Sequence, residues 1–298
     1  MKPITRAELK QMLEGPERPV LIDVTPEEYY RAAHLPGAKN CCVYETSFLE
    51  QAATAAPEKA AAIVVYGSSA HSLASATSAE KLERAGYARV RDYRGGLADW
   101  EGAGLPVERS GELPKKEQPR GGRHEVDTAK SLAHWTGRNI NGAHTGTIGI
   151  KAGWLEVAEA AASGEITLDM ESIANTDITN PAMNGMLIAH LKSDDFFDTA
   201  RFPIATFQLR HVTVNPHARP GNINADIDGT LTLKGVTEEI GFPALIEVLP
   251  GGALSAEAHF DIDRTRWNVI YGSGKFYERL GKHLVHDIVS LSLRIVTR

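Results

Sequence analysis

Two domains of different class are predicted: an α/β domain with a parallel sheet, then an antiparallel all-β domain with a short helical insert. Three observations predict this. The chain has 298 residues, about twice a typical domain. Apolar runs alternate with helical patterns through residues 1–108, and the period becomes two beyond residue 124.

The elements follow in order. Val20-Leu21-Ile22-Asp23-Val24 reads as a buried strand, with a helix from Pro26 to Ala33 behind it. A second apolar run centres on Ile63, Val64 and Val65; a loop of small residues leads into a helix from Ala74 to Ala85, ended by Gly86. Val90 to Tyr93 supplies a further strand. Strands apolar on both faces, alternating with helices, belong to parallel sheets covered on both sides. Residues 109–123 collect Ser110, Gly111, Pro114, Pro119, Gly121 and Gly122 with few large apolar side chains, the composition of a linker.

In residues 124–298, Ile223, Ala225, Ile227, Gly229, Leu231 and Leu233 alternate with Asn224, Asp226, Asp228, Thr230 and Thr232. Three more runs do the same: Ile240 to Val248, Leu254 to Ile262 and Val289 to Ile295. Each predicts a strand with one dry and one wet face. Seven or more such strands with short turns imply a sandwich or a barrel. Pro181 to Leu191 reads as a helix with Met183, Leu187 and Leu191 on one face, suited to covering part of the sheet.

Composition narrows the function. Hydrophobic residues make up 42% and charged residues 23%, and the net charge is −6. Two buried cores are therefore feasible, and no basic field recruits nucleic acid. The charged N-terminal residues Lys2, Arg6 and Glu8 have no apolar run behind them, so no secretion signal is expected. Nor does any run reach the ~18 to 20 apolar residues of a membrane span. These features set the expectation of a cytoplasmic chain. The two cysteines, Cys41 and Cys42, are adjacent, which suggests no disulfide framework.

Several separated segments carry a resemblance over residues 1–108. They are Leu21-Ile22-Asp23-Val24, Glu28-Tyr29, Ala33-His34-Leu35-Pro36-Gly37-Ala38, Gly86-Tyr87, Tyr93-Arg94-Gly95-Gly96, Trp100 and Ala103-Gly104-Leu105-Pro106-Val107. Together they resemble the rhodanese sulfurtransferases, in which a cysteine ends the central strand and opens a loop toward a helix N-terminus. Here that strand and loop read Val64-Val65-Tyr66-Gly67-Ser68-Ser69-Ala70-His71-Ser72, and Gly67 stands where the resemblance places the nucleophile. No arginine follows in the loop. A serine hydroxyl cannot hold a persulfide, so Ser68, Ser69 and Ser72 are read as a polar loop capping the next helix. The degenerate loop implies a domain without sulfur transfer that serves as a scaffold, an anion site, a regulatory module or a protein-docking surface. The alternative is a sulfurtransferase or redox enzyme working through Cys41 or Cys42.

Residues 124–298 resemble the YceI-like family. The segments are Trp135-Thr136-Gly137, Gly142-Ala143-His144-Thr145-Gly146-Thr147-Ile148, Asp169-Met170-Glu171-Ser172-Ile173, His190-Leu191-Lys192-Ser193-Asp194-Asp195-Phe196-Phe197-Asp198, Phe202-Pro203-Ile204-Ala205-Thr206-Phe207, Gly229 to Thr237, Asp263-Arg264 and Tyr271-Gly272-Ser273. The resemblance implies a lipocalin-like eight-stranded barrel enclosing an apolar cavity for an isoprenoid quinone or another lipid-like molecule. Lining candidates are Met183, Leu187, Ile227, Leu231, Phe242 and Phe260. No metal site and no other cofactor is expected; His283 and His286 stand three apart with no third ligand at recognisable spacing.

Overall fold

The computed structural model describes residues 2–157 and 162–298. The chain divides into two compact units, residues 1–116 and 117–298.

In the first unit the elements run β1 (Lys2–Pro3), α1 (Arg6–Glu14), β2 (Val20–Asp23), α2 (Glu27–Ala32), β3 (Lys39–Asn40), α3 (Phe48–Ala55), β4 (Ala62–Tyr66), α4 (Ala74–Arg84), β5 (Arg89–Asp92) and α5 (Gly96–Gly102). The strands form one sheet in the order β1-β5-β4-β2-β3, and every pairing is parallel. The continuous apolar run of β4 is explained by its two faces. Ile63 and Val65 enter one core with Phe48 and Leu82, whereas Val64 and Tyr66 enter the other with Leu9 and Trp100. Ile63, Val64 and Val65 are fully buried, each worth roughly 1.5–3 kcal/mol relative to exposure. Helix α1 begins with a capping box: Thr5 Oγ1 accepts from the Glu8 N–H, and the Glu8 carboxylate accepts from the Thr5 N–H at 2.7 Å.

The second unit is a closed antiparallel barrel. Its strands are β6 (Gly122–Glu125), β7 (Leu132–Asn139), β8 (Gly142–Val157), β9 (Ala162–Asn175), β10 (Ile204–Val214), β11 (Ala225–Leu233), β12 (Val236–Val248), β13 (Leu254–Asp263) and β14 (Ile288–Val296). They pair in the order β6-β8-β7-β14-β13-β12-β11-β10-β9, and the additional β8–β9 pairing closes the ring of eight. Helix α6 (Pro181–Lys192) connects β9 to β10.

Register turns sequence alternation into an inner wall. Ile227 lies opposite Phe242, Phe207 opposite Leu231, Phe260 opposite Leu291, and Leu291 opposite Trp135. Cross-strand partners share a face, so the apolar series predicted above point to one interior, except Ile223, which precedes β11 and is 60% exposed.

Candidate functional site

The barrel interior is the first candidate. Ile227, Leu231 and Phe242 are buried at 8%, 8% and 9% exposure. The Phe242 ring stacks on Phe260 with centroids 4.1 Å apart and tilts against Phe207 at 5.6 Å. Other inward side chains, Leu168, Phe207, Ile240, Phe260, Leu291 and Leu293, pack against this core yet remain only partly buried.

Helix α6 packs on one end. Asn180 caps it by accepting from the N–H groups of Ala182 and Met183, with Pro181 at its first position. The Asn184 amide ties it down by donating to the Asn175 carbonyl, the Asn175 Oδ1 and the Ile178 carbonyl. Leu187, Ile188 and Leu191 join the barrel core. Met183 does not: it is 60% exposed, and Met186 is 73% exposed. The face read from spacing is thus correct only from Leu187 onward, because the first turn extends beyond the strands that the helix covers.

The same end holds a buried arginine. Arg264 is 3% exposed, and its guanidinium donates to the carbonyls of His286, Val269, Tyr271 and Val285 at 3.0, 2.5, 2.8 and 3.2 Å. Burial lowers its pKa, opposed by the nearby Asp287 and Asp263 charges. Two indoles contrast inside the barrel. Trp267 Nε1 donates to the Leu231 carbonyl at 2.8 Å, whereas Trp135 Nε1 is buried with no acceptor.

Near the start of α6, His144 and Asp177 form a 2.9 Å pair. Burial pushes the Asp177 carboxyl up, but hydrogen bonds from the Thr145 N–H, His144 and Asn175 outweigh it and hold the pKa at about 2. His144 therefore serves this junction.

A cleft on the barrel's outer wall was not anticipated. It measures about 420 Å³ and is lined by His134, Thr136, His259, Asp261, Ser290 and Ser292, together with Phe260 and Leu291. Ser292 Oγ and His259 Nδ1 are hydrogen-bonded at 2.8 Å. The signal lay in the wet face of three neighbouring strands, but only register brings these side chains together. Their strands pair with one another through the sheet ladder.

The rhodanese-like loop is the second candidate. Gly67 is buried, and a Cβ there would meet nothing closer than Ala74 Cβ at 3.6 Å. The Gly67 and Ser68 carbonyls each accept from the start of α5, from the Leu97 and Ala98 N–H groups, both at 2.9 Å. Gly96 permits this approach. It has φ +64°, and a Cβ on it would lie 2.5 Å from the Gly67 carbonyl oxygen. Ser72 Oγ accepts from the Ala74 N–H at 3.2 Å and Ser69 Oγ from the His71 N–H at 3.4 Å, so the hydroxyls hold the loop itself. Ala70 and His71 are exposed. Among the described residues no hydrogen bond joins the His71 ring to a serine.

Cys41 and Cys42 are 1% and 4% exposed. Burial pushes the Cys41 thiol up to about 11, which leaves a thiolate fraction on the order of one in ten thousand at pH 7. Among the described residues no group of three or more His, Cys, Asp or Glu side chains is placed to hold a metal.

A closed antiparallel barrel with an apolar lining and a short helix packed on one end is a lipocalin-like architecture, here preceded in the chain by a parallel α/β unit. The chain belongs to the YceI-like family, whose model matches residues 124–297. Residues 5–103 match the rhodanese-like domain. Among solved structures, BcnA of Burkholderia cenocepacia is 24% identical with a TM-score of 0.43, covering 58% of this chain and 99% of its own. A polyisoprenoid binding domain from Saccharophagus degradans is 15% identical with a TM-score of 0.42, covering 59% and 97%. The rhodanese-like domain of the Anabaena Alr3790 protein is 27% identical with a TM-score of 0.28, covering 33% and 96%. One curated relative, the HTH-type transcriptional regulator Rv0324 of Mycobacterium tuberculosis, is 35% identical over 105 residues, which is 35% of this chain. The match spans 44% of that relative's length.

Proposed function

We propose that the barrel binds an elongated apolar or amphipathic molecule of isoprenoid type, such as an isoprenoid quinone. In this reading the chain is a non-enzymatic binding or carrier protein, with its rhodanese-like domain a docking or regulatory module. The observation that carries the reading is the inner wall: six large apolar side chains, Leu168, Phe207, Ile240, Phe260, Leu291 and Leu293, face inward and yet are only partly buried. Solidly packed cores leave few such surfaces. Leu187, Ile227, Leu231 and Phe242 complete the wall. Gly67 at the nucleophile position and the inert environment of Cys41 support the absence of sulfur transfer.

Each buried methylene contributes ~0.8 kcal/mol, so one five-carbon unit supplies roughly 3–4 kcal/mol before ordering costs. Displacement of pyrenedecanol by prenols of increasing length tests the reading. Affinity is expected to rise with each unit until the chain outgrows the barrel. A flat series, or thiosulfate:cyanide turnover by the unmodified protein, contradicts the corresponding half of the proposal.

A further inference from the structure

We infer that the Trp135 indole N–H is the polar anchor of the barrel, and that the ligand it selects is uncharged and carries a hydrogen-bond acceptor oxygen at one end. This rests on the binding reading above and names the ligand class.

Buried donors without acceptors are rare, because desolvation is then uncompensated. Among the described residues only three buried side-chain polar atoms have no hydrogen-bond partner: Asp92 Oδ1, Asp287 Oδ1 and Trp135 Nε1. Asp92 lies in the other unit, and Asp287 Oδ1 is within 3.8 Å of the Arg264 guanidinium. Trp135 Nε1 alone is a donor, and its ring is in the barrel core with Ile148, Met170, Ile173 and Leu191. The ring is held in place. Gly146 lies opposite Trp135 on β8, and a Cβ on Gly146 would stand 2.5 Å from the indole. Gly146 also pairs with Asn175, the residue that fastens α6, so the orphan donor sits beneath the covered end.

Charge decides the ligand class. An anionic headgroup needs a cation or several convergent donors. Arg264, the buried cation at this end, has its N–H groups engaged by four backbone carbonyls. Near the end of α6, Lys192 donates to the Glu171 carbonyl and carboxylate, and Lys234 to the Asp194 carbonyl. One neutral donor in an apolar wall matches a carbonyl, ester or ether oxygen and not a phosphate.

The test is competition against pyrenedecanol on the full chain with three probes of equal chain length: phytane, geranylgeranyl acetate and geranylgeranyl diphosphate. The acetate should bind about two- to tenfold tighter than the hydrocarbon, as one net hydrogen bond provides, and the diphosphate should bind weakest. Trp135→Phe should bring the acetate and phytane to equal affinity, read as the ratio of the two in the same variant. With ¹⁵N-labelled unmodified protein, one of the four indole N–H resonances should move downfield with acetate and not with phytane. An advantage that survives in Trp135→Phe, a diphosphate that binds tightest, or an indole spectrum indifferent to acetate overturns the inference while leaving the apolar-binding reading intact. Failure of pyrenedecanol and all three probes to bind overturns both.

Discussion

Leu293→Trp distinguishes a lined space from a filled core. Leu293 lies opposite Ala258 on one neighbouring strand and Ala133 on the other, both small and buried at 5% and 2% exposure. Leu293 itself is partly buried although it faces inward. In a filled interior the added bulk forces neighbours off their rotamers and costs about 1–3 kcal/mol. For a unit of this size that is a fall in Tm of roughly 2–12 °C. In a lined space the indole instead covers roughly 40–60 Å² of apolar surface, contributing about 1–1.5 kcal/mol before rotamer ordering is subtracted. The account therefore expects calorimetry to show an unchanged or raised Tm for the ligand-stripped protein. It also expects at least tenfold weaker binding of a long prenol, because the side chain occupies the ligand's path. A lowered Tm with unchanged prenol binding refutes the reasoning.

Other consequences are equally direct. Gly146→Ala drives a Cβ into the Ala174 carbonyl and the Trp135 ring, and should destabilise the barrel by more than about 3 kcal/mol in urea titrations. The Asp177 carboxyl is held at about 2, below its unfolded value of about 3.9. Its contribution is thus fully present above pH ~4 and lost as pH falls through 2. Asp177→Asn should flatten that part of the acid-denaturation profile, and an identical profile would count against the pair. Cys41 should alkylate with iodoacetamide far more slowly in the native than in the urea-unfolded chain at pH 8, since its thiol is raised to about 11 by burial; equal rates would revive thiol chemistry.

Much of the fold was legible because each sheet announces its period. β4 is apolar throughout since both faces are covered, and β11 to β14 alternate since one face is wet. Helices α1, α3 and α5 were missed because each buries a single large apolar side chain, Leu9, Phe48 and Trp100 respectively, which marks no repeating face. The pairings of β6 with β8 and of β14 with β7 bring together residues far apart in the chain, so local pattern does not reveal them.

The site was read unevenly for the same reason. Ile227, Leu231 and Phe242 are buried as expected, because alternation marks the dry face. Met183 was misplaced because helical spacing fixes a face but not how far a neighbour extends beneath it. Trp135 Nε1 and the engaged donors of Arg264 are properties of partners, and a sequence names residues without their partners.

Native mass spectrometry of the freshly purified full chain tests the central claim most directly. The account predicts a mass excess that is lost after organic extraction, with a neutral isoprenoid-like molecule recovered in the solvent. A bare-chain mass from every preparation, together with no uptake when long prenols are added back, would contradict it.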